Sequence, residues 1–220
     1  MPAKNRIKQY VEKGYYHIYN RGTEKRKIFL DRQDYNVFLS YLKEYLLPKN
    51  EKELLKRLSD PELNNIEREK TLQLLRLNNF SNEITLLAYC LMSNHFHFFV
   101  KQKSAASIDK FMNSLATRYT MYFNKKYKRV GSLYQGVYKA VLVNKEKQFL
   151  HLTRYIHVQA LPDQPSSYKN YLKKENSAWI NPEEILSYFS TKNPLLSYKA
   201  FVEANEEIDV IHTIILEEYE

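Results

Sequence analysis

Residues 84–100 read ITLLAYCLMSNHFHFFV. Ile84–Met92 is almost unbroken apolar, the pattern of a central strand covered on both faces. Ser93-Asn94 is a short turn, and His95–Gln102 then alternates as a second strand. Side chains at i and i+2 of a strand share a face. His95 and His97 therefore project together, and Phe96, Phe98 and Val100 turn the other way, toward packed helices.

Working outward, Tyr15–Arg21 (YYHIYNR) reads as a strand, rich in aromatic and β-branched residues, with Gly22 at its end. Asp31 or Asp34 can cap a helix carrying Tyr35, Phe38, Leu39, Tyr41, Leu42 and Tyr45, which Pro48 stops. Residues 49–82 are highly charged and read as an inserted helical pair. Ser107–Tyr127 is a long amphipathic helix whose stripe is Ile108, Phe111, Met112, Leu115, Tyr119, Tyr122 and Phe123. Gly131 breaks the chain, Leu133–Val143 is a fourth strand, and Lys145–Leu161 is a helix ended by Pro162. A C-terminal extension follows, with Trp179 packing it on the domain and a helix from Pro182. Strand, helix, strand, strand, helix, strand, helix is the order of an α+β, ferredoxin-like split βαβ domain with a four-stranded antiparallel sheet.

The 220 residues are 44% hydrophobic and 27% charged, enough to bury a core. A single cysteine, Cys90, excludes a disulfide scaffold and a cysteine-based zinc cluster. No apolar run approaches the roughly 18 residues that span a bilayer, and MPAKNRIKQYVEKGYY lacks a signal-peptide core. The cytoplasm is the expected compartment and no membrane partner is expected. The net charge is +9, yet residues 203–220 hold seven acids and no Lys or Arg, which leaves +16 on residues 1–202. A body that basic points to a polyanion, most commonly nucleic acid; a generically basic soluble protein is the plain alternative.

Two neutral imidazoles on one strand face are good ligands for a divalent ion, or else two polar residues on a solvent-facing strand. On the 145–161 helix, His151, Tyr155 and Gln159 stack at i, i+4, i+8, while Leu150, Ile156 and Leu161 can hold a different face against the domain. A tyrosine hydroxyl can act as a covalent nucleophile, and Gln159 offers a carbonyl oxygen to a hard ion. With 19 tyrosines in the chain, packing is the alternative for any one of them. His17 reads as structural or DNA-proximal and not as a ligand, and His157 points away from Tyr155.

MSNHFHFFV at 92–100 resembles the signature of the HUH single-strand endonucleases. YHIYNRGTEKRKIF at 16–29, GSLYQGVYKAVLV at 131–143, RYIHVQAL at 154–161 and SSYKNYL at 166–172 resemble the single-tyrosine transposases of that class, especially the REP-associated branch. The resemblance implies that residues 1–162 form the transposase domain, with 49–82 inserted, and that 163–220 are an extension with an acidic tail. It implies His95, His97 and Gln159 as ligands of Mg2+ or Mn2+ and Tyr155 as nucleophile. The implied activity is metal-dependent cleavage and rejoining of single-stranded or hairpin DNA through a 5′-phosphotyrosine. Three differences stand out: Gln159-Ala160 where that branch reads Asn-Pro, Val137 where a basic residue is frequent, and a longer 49–82 segment.

Lys101, Lys103, Arg118, Lys125, Lys126, Lys128 and Arg129 are the expected phosphate contacts, with Arg21 and Lys139 at strand ends as further candidates. His151 could orient or deprotonate Tyr155. The family contains monomers and dimers that exchange the tyrosine helix, so a homodimer stays open. Two other readings are a nucleic-acid-binding protein that has lost catalysis and a phosphoesterase that activates water.

Overall fold

The computed structural model describes residues 10–160 and 164–204. Strands β1 (Tyr15–Arg21), β2 (Ile84–Met92), β3 (His95–Gln102) and β4 (Lys139–Val143) form one sheet in the order β2-β3-β1-β4. Every neighbouring pair is antiparallel. Helix α1 (Arg32–Leu46) follows β1, α4 (Ser107–Lys126) joins β3 to β4, and α5 (Glu146–Gln159) follows β4. This is the ferredoxin-like arrangement predicted from the element order. The insertion is the expected pair, α2 (Glu51–Leu58) and α3 (Asn65–Arg76), capped by Asn50 and Asn64. The extension carries the short helices α6 (Tyr168–Tyr171), α7 (Glu183–Leu186) and α8 (Tyr198–Glu203). Among the described residues, no helix is long and apolar enough to cross a membrane.

Local chemistry sets the helix that covers the first face. The Asp31 carboxylate accepts from the Asp34 backbone N–H, and the Asp34 carboxylate accepts from the Asp31 N–H, a reciprocal capping box that starts α1. Both helices α1 and α4 bury their stripes against Phe96, Phe98 and Val100, with Phe38, Phe111 and Tyr119 at the centre. The second face is covered by α5 and the extension, where Phe99, Leu152, Tyr155, Ile156, Tyr171 and Tyr198 are buried together. Trp179 stacks on Tyr89 at 5.4 Å, the packing role expected of it. Cys90 is fully buried among apolar neighbours, and burial pushes its thiol well above the usual range, so it is inert.

Three elements differ from expectation. First, β2 is an edge strand, not a central one. Its apolar continuity has another cause. A bulge between Leu86 and Ala88 switches the side-chain parity, so Leu86, Tyr89 and Leu91 serve the first core and Leu87, Ala88 and Cys90 the second. The free edge is then covered by the extension: Leu91 donates to the Pro165 carbonyl (2.9 Å), Ser167 to Tyr89 (3.0 Å) and Asn181 to Leu86 (2.9 Å). Second, β4 begins at Lys139, not Leu133. Gly136 adopts a φ of +82°, and the turn around it interrupts the ladder, leaving Tyr134 in an isolated bridge with Gly22. Third, α5 ends at Gln159; the expected ends at Leu161 and Pro162 lie outside the described residues, as does the acidic tail beyond Ala204.

Candidate active site

The second face of the sheet is where β1, β3 and α5 bring polar rings together. The antiparallel register sets Tyr19 opposite His97 and Arg21 opposite His95. Ring centroids of His95 and His97 lie 4.9 Å apart, nearly perpendicular. His97 is only 1% exposed. The face is therefore not open, as a solvent-facing strand would be; α5 lies over it because its apolar side includes Tyr155 itself. Tyr155 is buried with its ring edge-on to His97 at 5.4 Å and to His17 at 6.3 Å. Phenol and imidazole pair thus meet within a single chain. Gln159 sits one turn later at the C-terminal end of α5, half-buried.

Each imidazole is held through one nitrogen. His95 Nδ1 bonds to Asn94 Oδ1 at 2.6 Å, and His97 Nδ1 bonds to His17 Nε2 at 2.9 Å. The His97 Nε2 atom is buried and has no hydrogen-bond partner. A buried nitrogen left this way is costly unless something else satisfies it. Burial, and secondarily the Arg21 guanidinium, depresses His95 to about 4. Burial together with His17 and His95 holds His97 well below its ordinary value. Both rings are neutral at physiological pH, the protonation state a divalent cation needs. Neutral imidazoles with a free Nε2 suit such an ion. Among the described residues, no group of three His, Cys, Asp or Glu side chains is arranged to hold one, so further ligands must come from elsewhere, such as Gln159 or a phosphate oxygen.

The basic residues divide into two sets. Arg21 sits beside His95 and bonds to Gln135 Oε1 at 3.4 Å. The Lys139 ammonium lies 5.7 Å from the Tyr19 ring, which itself lies 5.9 Å from His97. These two border the imidazoles. Lys101 instead pairs with Glu184 of α7 (3.3 Å), Arg118 with Glu44 (2.7 Å) and stacks over Tyr41, and Lys126 bonds Asp31 (2.7 Å) and Asp34 (2.8 Å). Carboxylates of the chain itself pair with these three. Lys125 lies in the last turn of α4, with Lys128 and Arg129 just beyond it; α4 runs back along β3 and so finishes at the His95 end of the sheet, and Lys103 lies beyond the other end of β3. The His151 ring is edge-on to Phe201 of α8 at 5.4 Å, facing the extension.

Two residues beyond Tyr155, His157 points elsewhere, as expected. Its Nδ1 bonds to the Tyr198 hydroxyl and its Nε2 to Ser167 Oγ, both at 2.7 Å. The extension thereby grips the tyrosine helix through a fully buried ring. Burial lowers this imidazole to about 3, from an ordinary value of 6.5. The folded chain keeps it neutral while the unfolded chain protonates it below about pH 6.5. Its contribution is whole above that pH and is lost as pH falls toward 3, by up to roughly 1.4 kcal/mol per unit. Urea melts from pH 7 to 4 should show His157→Gln with a shallower acid decline than the wild type; equal slopes would place the acid sensitivity in other groups.

Sequence reasoning left two contacts of the histidine pair unread. His17 touches His97, and its signal was the shared parity with Tyr15 and Tyr19 on β1. Asn94, taken as a turn residue, positions His95. Residues 59–159, which span both histidines, Tyr155 and Gln159, match the family model described as "Transposase IS200 like". Two solved structures are similar. One is a REP-associated tyrosine transposase bound to a REP hairpin, 9% identical over 78% of this chain and 86% of that one, with a TM-score of 0.44. The other is a candidate transposase from Deinococcus radiodurans R1, 16% identical over 70% and 97%, with a TM-score of 0.29. No curated protein matches the chain.

Proposed function

Because residues 59–159 match the family model of IS200-like transposases, we propose that the protein cleaves and rejoins single-stranded or hairpin DNA with Tyr155 as nucleophile. The observation that carries this reading is the Tyr155 ring lying against His97, beside a buried imidazole nitrogen that nothing else satisfies. Tyr155 Oη attacks the scissile phosphorus as the phenol gives up its proton. The P–O3′ bond breaks, leaving a 5′-phosphotyrosine and a free 3′-hydroxyl. A 3′-hydroxyl of a second strand then attacks the phosphotyrosine, restoring the phosphodiester and the phenol. The covalent link conserves the bond energy, so no nucleotide cofactor is needed.

His95 and His97 would hold Mg2+ or Mn2+ through Nε2, with Gln159 as a third protein ligand. When bound, the cation polarises a non-bridging phosphate oxygen and neutralises developing charge. The packing of Tyr155 between the sheet and the extension keeps the phenol aimed, so little ordering is left for the reacting complex. Arg21 and Lys139 take the flanking phosphates beside the imidazoles, and Lys103, Lys125, Lys128 and Arg129 extend the basic surface. Such an enzyme works on nucleoid DNA in the cytoplasm.

The test is incubation with single-stranded DNA bearing the palindromes that flank the gene, with and without Mn2+. A protein–DNA band that survives denaturation, and that EDTA prevents, is expected. Cleavage without that band would favour an activated water; binding without cleavage would leave a DNA-binding protein on the same fold.

A further inference from the structure

The bond between His17 and His97 has a direction, and the direction matters. A neutral imidazole carries one N–H and one lone pair. If His97 Nδ1 carries the proton, it donates to His17 Nε2, and the His97 lone pair lies on Nε2, the buried atom without a partner. In the opposite direction, His97 would present a buried N–H with no acceptor, unable to bind a cation. His17 can accept at Nε2 because its own proton then sits on Nδ1. The two rings are nearly parallel, 16° apart with centroids at 5.1 Å, and His17 is fully buried. Neither ring therefore has room to exchange partners freely.

We propose that His17 is a positioning residue: by accepting from His97 Nδ1–H it fixes the tautomer and orientation in which His97 Nε2 can hold a divalent cation. Partners of this kind on a ligating histidine are worth about 10- to 100-fold in metal affinity. The inference deepens the metal-dependent reading above and rests on it. It assigns His17 to the site without making it a ligand, so its loss should weaken metal binding without abolishing it.

Two measurements on the full chain test it. Ring-15N spectra of the metal-free protein at neutral pH should show His97 protonated at Nδ1; protonation at Nε2 overturns the proposal with no variant needed. Mn2+ titrations followed by electron paramagnetic resonance should show His17→Phe binding about 10- to 100-fold more weakly than the wild type. His17→Gln, whose amide oxygen can accept the same N–H, should recover most of the loss, which a merely structural role would not predict. Equal affinity in wild type and His17→Phe overturns the proposal while leaving the metal site standing. Absence of Mn2+ uptake by the wild type overturns the metal reading itself.

Discussion

Tyr155→Phe is expected to remove covalent adduct formation and strand transfer altogether, a fall of at least roughly 10^4-fold, as for other enzymes that lose their nucleophile. Only the hydroxyl is deleted. The ring stays in its buried place against His97, Leu152 and Ile156, so the stability change should be within about 1 kcal/mol of wild type. Affinity for hairpin DNA should persist, because Arg21, Lys139 and the α4 basic end are untouched. Gel assays of adduct and of binding on the same preparation check both halves. A persistent adduct would reassign the nucleophile among the other tyrosines.

His97→Ala should also abolish cleavage, but with a cost to the fold. Read from the strand pattern alone, His97 lies on an open face and its loss leaves stability unchanged. The structure revises this. At 1% exposure, beneath α5 and bonded to His17, the ring fills space that alanine leaves empty. A destabilisation of about 2–4 kcal/mol is expected, the range for emptying a buried site. Denaturant melts check this cost. His97→Gln, which keeps most of the volume, separates the effects: it should recover much of the stability and none of the cleavage. Recovery of cleavage by His97→Gln would mean that the imidazole nitrogen is dispensable.

The limits of the sequence reading have physical causes. Strand and helix periodicity placed β1, β2, β3 and α4 within a residue of their observed ends, because each buries a whole face and carries its pattern locally. The i, i+2 rule put His95 and His97 together, and i, i+4 spacing put Tyr155 and Gln159 on α5. What stayed hidden depends on partners distant in the chain. The β2 edge is covered by Pro165, Ser167 and Asn181, far later in the chain, and no local pattern records that pairing. The pairing of Lys126 with Asp31 and Asp34 at the capping box of α1 likewise joins residues far apart in the chain. His17 acquires its role only from the cross-strand register that sets Tyr19 against His97.

The central claim is that one phenol, Tyr155, carries the DNA strand. Its most direct test is mass-spectrometric mapping of the adduct after proteolysis and nuclease trimming. The account predicts a nucleotide 5′-phosphate on the peptide that contains Tyr155 and on no other. The same modification on a different tyrosine, or strand cleavage with every tyrosine unmodified, would contradict it.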